Sequence, residues 1–301
     1  MQPIVQVTGL TKQFKNLTAV DGLSFSVNEG DVYGFLGQNG AGKSTSIRMM
    51  LTLIEPTSGE IEIFGMKLAK HRREILSQIG AVIEKPDIYK YLSAYDNLKL
   101  FAKLSGINPS SQQLMDQLEM VGLAHRANDK VKTFSQGMKQ RLGIGIALVH
   151  NPRLIILDEP TNGLDPVGIA EIRELIKELS KQGKTIIMAS HLLDEVEKVC
   201  THVAILKKGE LLTSGSIRDL MSGEEIIHLD ATDLTHLQQI LQGYPGIASM
   251  KIEGEMLKVH AIGGEIQLEE INRYCFQQGI ALRQLTLHKK SLETTFLELT
   301  H

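Results

Sequence analysis

The residues best able to do chemistry fall in two clusters. The first, Gly37-Gln38-Asn39-Gly40-Ala41-Gly42-Lys43-Ser44-Thr45, fits the pattern G-x-x-x-x-G-K-[ST]. Glycines at these places let a backbone wrap a phosphate closely and turn several N–H groups inward. A helix opening at Lys43 adds its positive end. Lys43 supplies a point charge for β- and γ-phosphates, and Ser44 offers a hydroxyl to Mg2+. The second cluster is Asp158-Glu159, which ends the apolar run Leu154-Ile155-Ile156-Leu157. Asp158 is expected to hold the cation, directly or through water. Successive residues of a strand diverge, so Glu159 can point elsewhere and orient an attacking water. Taken alone, each cluster has a plain alternative: a glycine-rich turn before a chance lysine, or a polar strand end with no chemistry. Their co-occurrence in the required context favours phosphoryl transfer.

These groups need particular elements to position them. Val32-Tyr33-Gly34-Phe35-Leu36 reads as a buried strand feeding the glycine loop. Residues 43–54 place Ile47, Met50, Leu51 and Ile54 on one helical face. Pro56 and Gly59 break the chain, and Ile61 and Ile63 then alternate with Glu60 and Glu62 as in a strand with one wet face. Residues 93–105, 111–121 and 136–149 read as helices. Leu154 to Leu157 has the signature of a central parallel strand, whose carboxyl end is where ligands bind in such sheets. A helix over 167–180, a strand over 184–189, a helix over 192–199 and a hairpin turning at Lys207-Lys208-Gly209 complete this part.

Near Met221-Ser222-Gly223 the chain changes character, which sets a boundary between residues 1–221 and 222–301. The tail reads strand (225–231), helix (233–242), strand (247–253), strand (256–262), helix (264–278), strand (280–288) and a short last helix. The order β-α-β-β-α-β suggests a small split-βαβ sandwich. The tail shows no metal-ligand spacing and no glycine cradle. A stability or dimer-contact module is therefore favoured there over a regulatory sensor.

Composition narrows the function class. The chain has 301 residues, 42% hydrophobic and 22% charged, enough for about two domains with proper cores. With 32 basic and 35 acidic residues the net charge is -3, so the basic excess of a nucleic-acid binder is missing. Two cysteines, Cys200 and Cys275, do not suggest a disulfide framework. No secretory hydrophobic segment follows Met1, and the longest apolar run, Leu142 to Val149, falls well short of the roughly 20 residues of a membrane span. A cytosolic chain that reaches a membrane only through a partner is expected.

Three further segments carry a family resemblance. Phe134-Ser135-Gln136-Gly137-Met138-Lys139-Gln140-Arg141-Leu142 precedes the acidic strand end, Pro160-Thr161-Asn162-Gly163-Leu164-Asp165-Pro166 follows it, and His191 comes after the next strand. With the glycine loop, the order and spacing of these motifs resemble the ATP-binding subunit of an ABC transporter over about residues 1–220. The resemblance implies an α/β fold: a P-loop ABC ATPase core of mostly parallel sheet with antiparallel β and helical subdomains, the latter about 86–150, and then a small α+β C-terminal domain. It implies ATP and Mg2+ as cofactors. Phe14 matches the aromatic that stacks on adenine, and Val20 joins Gly37, Asn39, Gly40, Ala41, Gly42, Lys43, Ser44 and Thr45 around the nucleotide. Ser135 and Gly137 match the signature motif, which acts on ATP held by the opposite subunit. Asp165 matches the loop joining the two sites of the dimer, and His191 the switch histidine at the γ-phosphate.

Two departures stand out. The family's usual signature, Leu-Ser-Gly-Gly-Gln, reads Phe134-Ser135-Gln136-Gly137-Met138 here, so the serine and second glycine survive and the first glycine does not. Where the family carries a glutamine after Ile79-Gly80-Ala81-Val82-Ile83, this chain has Glu84. A carboxylate there adds charge beside Asp158 and Glu159. Stronger dependence on Mg2+ and pH is expected, unless Glu84 faces solvent, because clustered carboxylates raise one another's pKa.

Ile83-Glu84-Lys85-Pro86 and Tyr91 to Leu98 resemble the ATPases of bacitracin-resistance and lantibiotic self-protection exporters. That likeness implies a separate integral-membrane permease, a homodimer or a pairing with a similar ATPase, a place on the cytoplasmic face of the membrane, and an antibiotic, peptide or other small amphipathic cargo. Two other classes compete. A soluble ABC ATPase acting on a macromolecule usually has two cassettes or a long coiled-coil insertion, and Lys43 and Ser135 lie too close in sequence for the latter. A poorly hydrolysing regulator is disfavoured by intact Lys43, Asp158, Glu159 and His191.

Overall fold

The computed structural model describes residues 3–221, 225–261, 267–288 and 291–300. The chain divides into two compact units, up to Ser216 and from Ile217. The expected boundary residues Ser222 and Gly223 lie outside the described residues.

In the first unit, β1 (Val5–Phe14) and β2 (Leu17–Val27) pair as a hairpin. β3 (Val32–Leu36) leads into the glycine loop and α1 (Lys43–Met50). β4 (Ser58–Ile63), β5 (Met66–Lys67) and α2 (Leu68–Leu76) follow, then β6 (Ile79–Ile83). Three helices come next: α3 (Ala94–Leu104), α4 (Ser111–Met120) and α5 (Gln136–Leu148). β7 (Leu154–Asp158), α6 (Pro166–Lys181), β8 (Thr185–Ser190), α7 (Leu193–Val199), β9 (His202–Lys207) and β10 (Glu210–Ser216) finish the unit.

The strands form two sheets. One runs β2-β1-β4-β5 and is antiparallel; the other runs β10-β9-β3-β8-β7-β6 and is parallel except for β10. The apolar runs of β3, β7 and β8 are buried at every residue, as central parallel strands covered on both faces must be. One core joins the sheets and α1. Val5, Leu23, Phe25 and Ile63 meet Phe35, Ile47, Met50, Ile156 and Ile187, and the Phe25 ring stands edge-on to Phe35 at 4.9 Å.

Helix starts follow their caps. Ser93, Ser110, Ser135 and Asp165 each accept a backbone N–H of the first turn, and Ser110 forms a full capping box with Gln113. One helix is shorter than its pattern predicts. α1 ends at Met50 rather than 54, because Thr52 turns left-handed at φ 57 and the N–H groups of Thr52 and Leu53 fold back to Met49 and Arg48 carbonyls. This is a Schellman closure with threonine in the place usually held by glycine, so the sequence carries no glycine to announce it.

The second unit comprises α8 (Ile217–Met221), β11 (Glu225–Ala231), α9 (Leu234–Leu241), β12 (Ile247–Glu253), β13 (Met256–Ala261), α10 (Leu268–Gln277), β14 (Leu282–His288) and α11 (Leu292–Thr300). Its antiparallel sheet has the order β12-β13-β11-β14. Ile227, Leu229, Leu257 and Val259 bury one sheet face against Leu237 and Leu241 of α9 and Ile271 and Cys275 of α10. The expected ends of β13 at 262 and of α10 at 264–266 lie outside the described residues.

Candidate functional site

A cavity of about 1180 Å3 opens at the carboxyl ends of β3, β7 and β6. Asn39 to Thr45, Phe14, Glu84, Asp158, Glu159 and His191 all line it. Two of the loop glycines are enforced. A Cβ on Gly37 would meet Leu206 O at 2.6 Å, and one on Gly42, with φ 102, would meet Ala19 O at 2.7 Å. Gly42 is also the N-cap of α1, so the loop's N–H groups and the helix end face the same space.

Lys43 is only 5% exposed. Its ammonium folds back on the loop, donating to Gly37 O at 2.7 Å and Gln38 O at 3.3 Å, and lies 3.4 Å from Glu159 Oε1. The Glu159 backbone sits at φ 50, which turns its carboxylate off the strand line. Its other oxygen meets His191 Nδ1 at 2.7 Å. Lysine, glutamate and histidine, from the start of α1 and the ends of β7 and β8, thus form one chain of contacts.

Ser44 Oγ donates to Asp158 Oδ1 at 2.9 Å, while Asp158 Oδ2 is buried with no partner. Burial raises the Asp158 pKa above its ordinary value, and Glu159 and Glu84 add to the rise; the Ser44 hydrogen bond and Arg48 oppose it. A buried carboxylate with one oxygen free beside a hydroxyl is a hard-oxygen set suited to Mg2+, a cation that takes one or two protein ligands and draws the rest from phosphate and water. Among the described residues no group of three or more His, Cys, Asp or Glu is placed to hold a metal without such help.

Glu84 follows β6 with a left-handed backbone at φ 56. Its side chain is 65% exposed, lines the cavity and pairs with Arg48. Phe14 stands at the end of β1, 43% exposed, with Lys12 Nζ 5.0 Å from its ring centroid. Val20 does not line the cavity; it is fully buried behind Gly42. Gly37 likewise packs beneath the loop. Ser135, Gly137 and Asp165 are not among the lining residues either. Ser135 caps α5, Asp165 caps α6, and a Cβ on Gly137 would lie 3.6 Å from Gly168 Cα, so the two helix starts pack side by side.

Lys85, Asp87, Gln136, Asn162 and Lys208 also line the cavity, and the motifs do not mark them as site residues. Lys208 turns the β9–β10 hairpin at φ 50, and the next residue, Gly209, packs against Ala19. The Lys207-Lys208-Gly209 turn was visible as a turn, but nothing local shows that it reaches the cavity. Asn162 lies within a quoted motif, and its position there was the available signal.

The family model described as ABC transporter matches residues 20–162. The bacitracin transport ATP-binding protein BcrA of Bacillus licheniformis is 41% identical over 302 residues, covering 99% of this chain and 98% of that protein. The lantibiotic transport ATP-binding protein SrtF of Streptococcus pyogenes is 41% identical over 209 residues, 69% of this chain and 89% of that one. A dimeric ATP-binding cassette solved after hydrolysis, with ADP and Pi bound, matches with a TM-score of 0.64 and 27% identity over 71% of this chain and 99% of its own.

Proposed function

The chain belongs to the ATP-binding proteins of ABC transporters, and from that premise we propose that it drives an exporter of antibiotic-class peptides or other small amphipathic compounds, as a homodimer beneath a separate permease. It binds and hydrolyses ATP. The export reading is supported by the 41% identity to the bacitracin protein across both units. Among the described residues no helix is long and apolar enough to cross a membrane, so attachment to the cytoplasmic face would run through the permease.

The observation that carries the hydrolytic reading is Glu159 held between Lys43 and His191, next to an unpartnered Asp158 oxygen. The mechanism follows from these residues. Phe14 offers a ring face for adenine. The loop N–H groups and the start of α1 take the phosphates, and Lys43 exchanges its carbonyl partners for phosphate oxygens. Ser44 and Asp158 would hold Mg2+, with Glu84 at the rim; bound there, the cation neutralises developing charge on the phosphates. Glu159 accepts a hydrogen bond from the attacking water and takes its proton as the water oxygen bonds to the γ-phosphorus and the bond from that phosphorus to the bridging oxygen of the leaving ADP breaks. His191 holds the Glu159 carboxylate through its Nδ1 contact and would contact the γ-phosphate as the family's switch histidine.

Ser135 and Gly137 do not line this chain's own cavity, which is compatible with a role on the other subunit's γ-phosphate. Two chains closing head to tail would bring each α5 start to the partner's nucleotide, and hydrolysis would release them. Glu159→Gln tests both halves. Its hydrolysis is expected to fall roughly 100- to 1000-fold, and light scattering after gel filtration in ATP is expected to show a stable dimer. A variant that stays monomeric in saturating ATP overturns the clamp. A tagged protein drawn from membranes should carry an integral-membrane partner; ribosomes alone would overturn the transport reading.

A further inference from the structure

α1 carries Ser44 and Arg48 four residues apart, so both lie on one helix face. Ser44 donates to Asp158 and Arg48 donates to Glu84. The two acceptors stand at the ends of neighbouring parallel strands, since Ile83 lies opposite Asp158 in the β6–β7 register. One face of the phosphate-loop helix therefore grips both carboxylates. Arg48 does not itself line the cavity, whereas Glu84 does. The pair thus draws the Glu84 carboxylate toward a cation outside the cavity. Arg48 sits in the last turn of α1, where the helix end favours a positive charge, so the anchor is well supported.

Charge explains why an anchor is needed. Asp158, Glu159, Glu84 and Asp87 line the cavity together with Lys43, Lys85 and Lys208, and Glu159 and Glu84 lie close enough to Asp158 to raise its pKa. Glu84 also holds a left-handed backbone that a non-glycine residue keeps only when its surroundings fix it. Arg48 is the ion-pair partner of its side chain, and with Arg48 35% and Glu84 65% exposed the bond can exchange.

We infer that Arg48 is a positioning residue that holds the Glu84 carboxylate and competes with the divalent cation for it. Glu84 thereby trades one positive partner for another as Mg2+ and ATP enter. The inference rests on the cavity being the nucleotide site. No bond is made or broken; one ion pair is exchanged for another.

The test counts Mn2+ bound to the full chain by electron paramagnetic resonance, with a non-hydrolysable ATP analogue at saturation. Arg48→Gln is expected to tighten Mn2+ about two- to fivefold, the range of a part-exposed ion pair. Glu84→Gln is expected to loosen it. In the Arg48→Gln, Glu84→Gln double variant the Arg48 change should have less than half its effect on the logarithm of the affinity. Arg48→Lys keeps a cation there and should stay near the parent. Equal effects in both backgrounds would mean that Arg48 acts as a distant charge, and that overturns the inference. So does looser or unchanged Mn2+ binding in Arg48→Gln. Binding of a fluorescent ATP analogue without metal is measured in parallel. Its absence from the parent chain would sink the nucleotide-site reading itself, while normal analogue binding with additive Mn2+ effects would sink only the Arg48 exchange.

Discussion

His150 closes α5 with its ring turned inward: Nε2 meets Ile79 O at 3.2 Å and Nδ1 is buried without a partner. Burial lowers its pKa from the ordinary value, outweighing the Ile79 contact. Unfolded, the ring titrates near 6.5. Between the lower folded value and that one, the unfolded chain binds more protons, so stability is complete above about pH 6.5 and drains as pH falls below it. Melting curves of the first unit from pH 8 to 5 should show this loss. His150→Gln should flatten it, and an unchanged slope would remove His150 as the cause. Lys43→Met removes a charge-assisted donor and should weaken a metal-free fluorescent ATP analogue roughly 10- to 150-fold, the equivalent of about 1.5–3 kcal/mol. A loss below twofold would count against Lys43 as a phosphate ligand. At this scale the motifs made Lys43, Ser44, Asp158 and Glu159 legible, because each motif fixes a residue type and its local backbone together. Arg48 and Lys208 were not legible. Their importance comes from which distant carboxylate or strand they meet, and spacing along the chain does not encode that.

Between elements, the contacts that matter are close backbone approaches. A Cβ on Gly80 of β6 would lie 2.1 Å from Ala147 O of α5, and that neighbour is backbone, not a yielding side chain. Gly80→Ala should cost about 1–3 kcal/mol by overpacking, which in a unit of this size lowers Tm by about 2–4 °C per kcal/mol. Ala81→Ser, one residue on and exposed, should leave Tm almost unchanged. Equal melting of the two variants would mean that α5 yields at no cost. The same helix holds Gly143, where a Cβ would meet Pro86 Cβ at 2.3 Å, so α5 is pressed against both β6 and the loop after Glu84. Elements with a clean period were readable: β3, β7, β8, α3 and α4 fall within a residue or two of their patterns. β1 and β2 are not legible in the sequence, because register shifts around Gly9 and Gly22 interrupt their alternation. α2 is not legible either; of its nine residues only Leu68 and Ile75 are buried, too few to give a period.

At the scale of the whole chain, every residue lining the cavity lies between Phe14 and Lys208, inside the first unit. The tail's strand and helix order was legible because Ile227, Leu229 and Ala231 alternate cleanly toward one core. Its role was not, because a packed sandwich can stabilise, dimerise or regulate with the same apolar residues. The separation nonetheless has a consequence. β10 ends the parallel sheet at Ser216, so no strand of the first unit is left incomplete when the chain is cut there. The post-hydrolysis cassette matched over 71% of this chain uses 99% of its own length, so a cassette of that size holds nucleotide without a segment matching this tail. A chain ending at Ser216 should therefore fold and bind a fluorescent ATP analogue within about threefold of the full protein, a gap of about 0.7 kcal/mol. If affinity falls by tenfold or more while the melting transition persists, the tail must shape the nucleotide site. If affinity holds but ATP no longer dimerises the Glu159→Gln form of the shortened chain, the tail belongs to the clamp, and its sandwich is the surface through which two copies are kept in register.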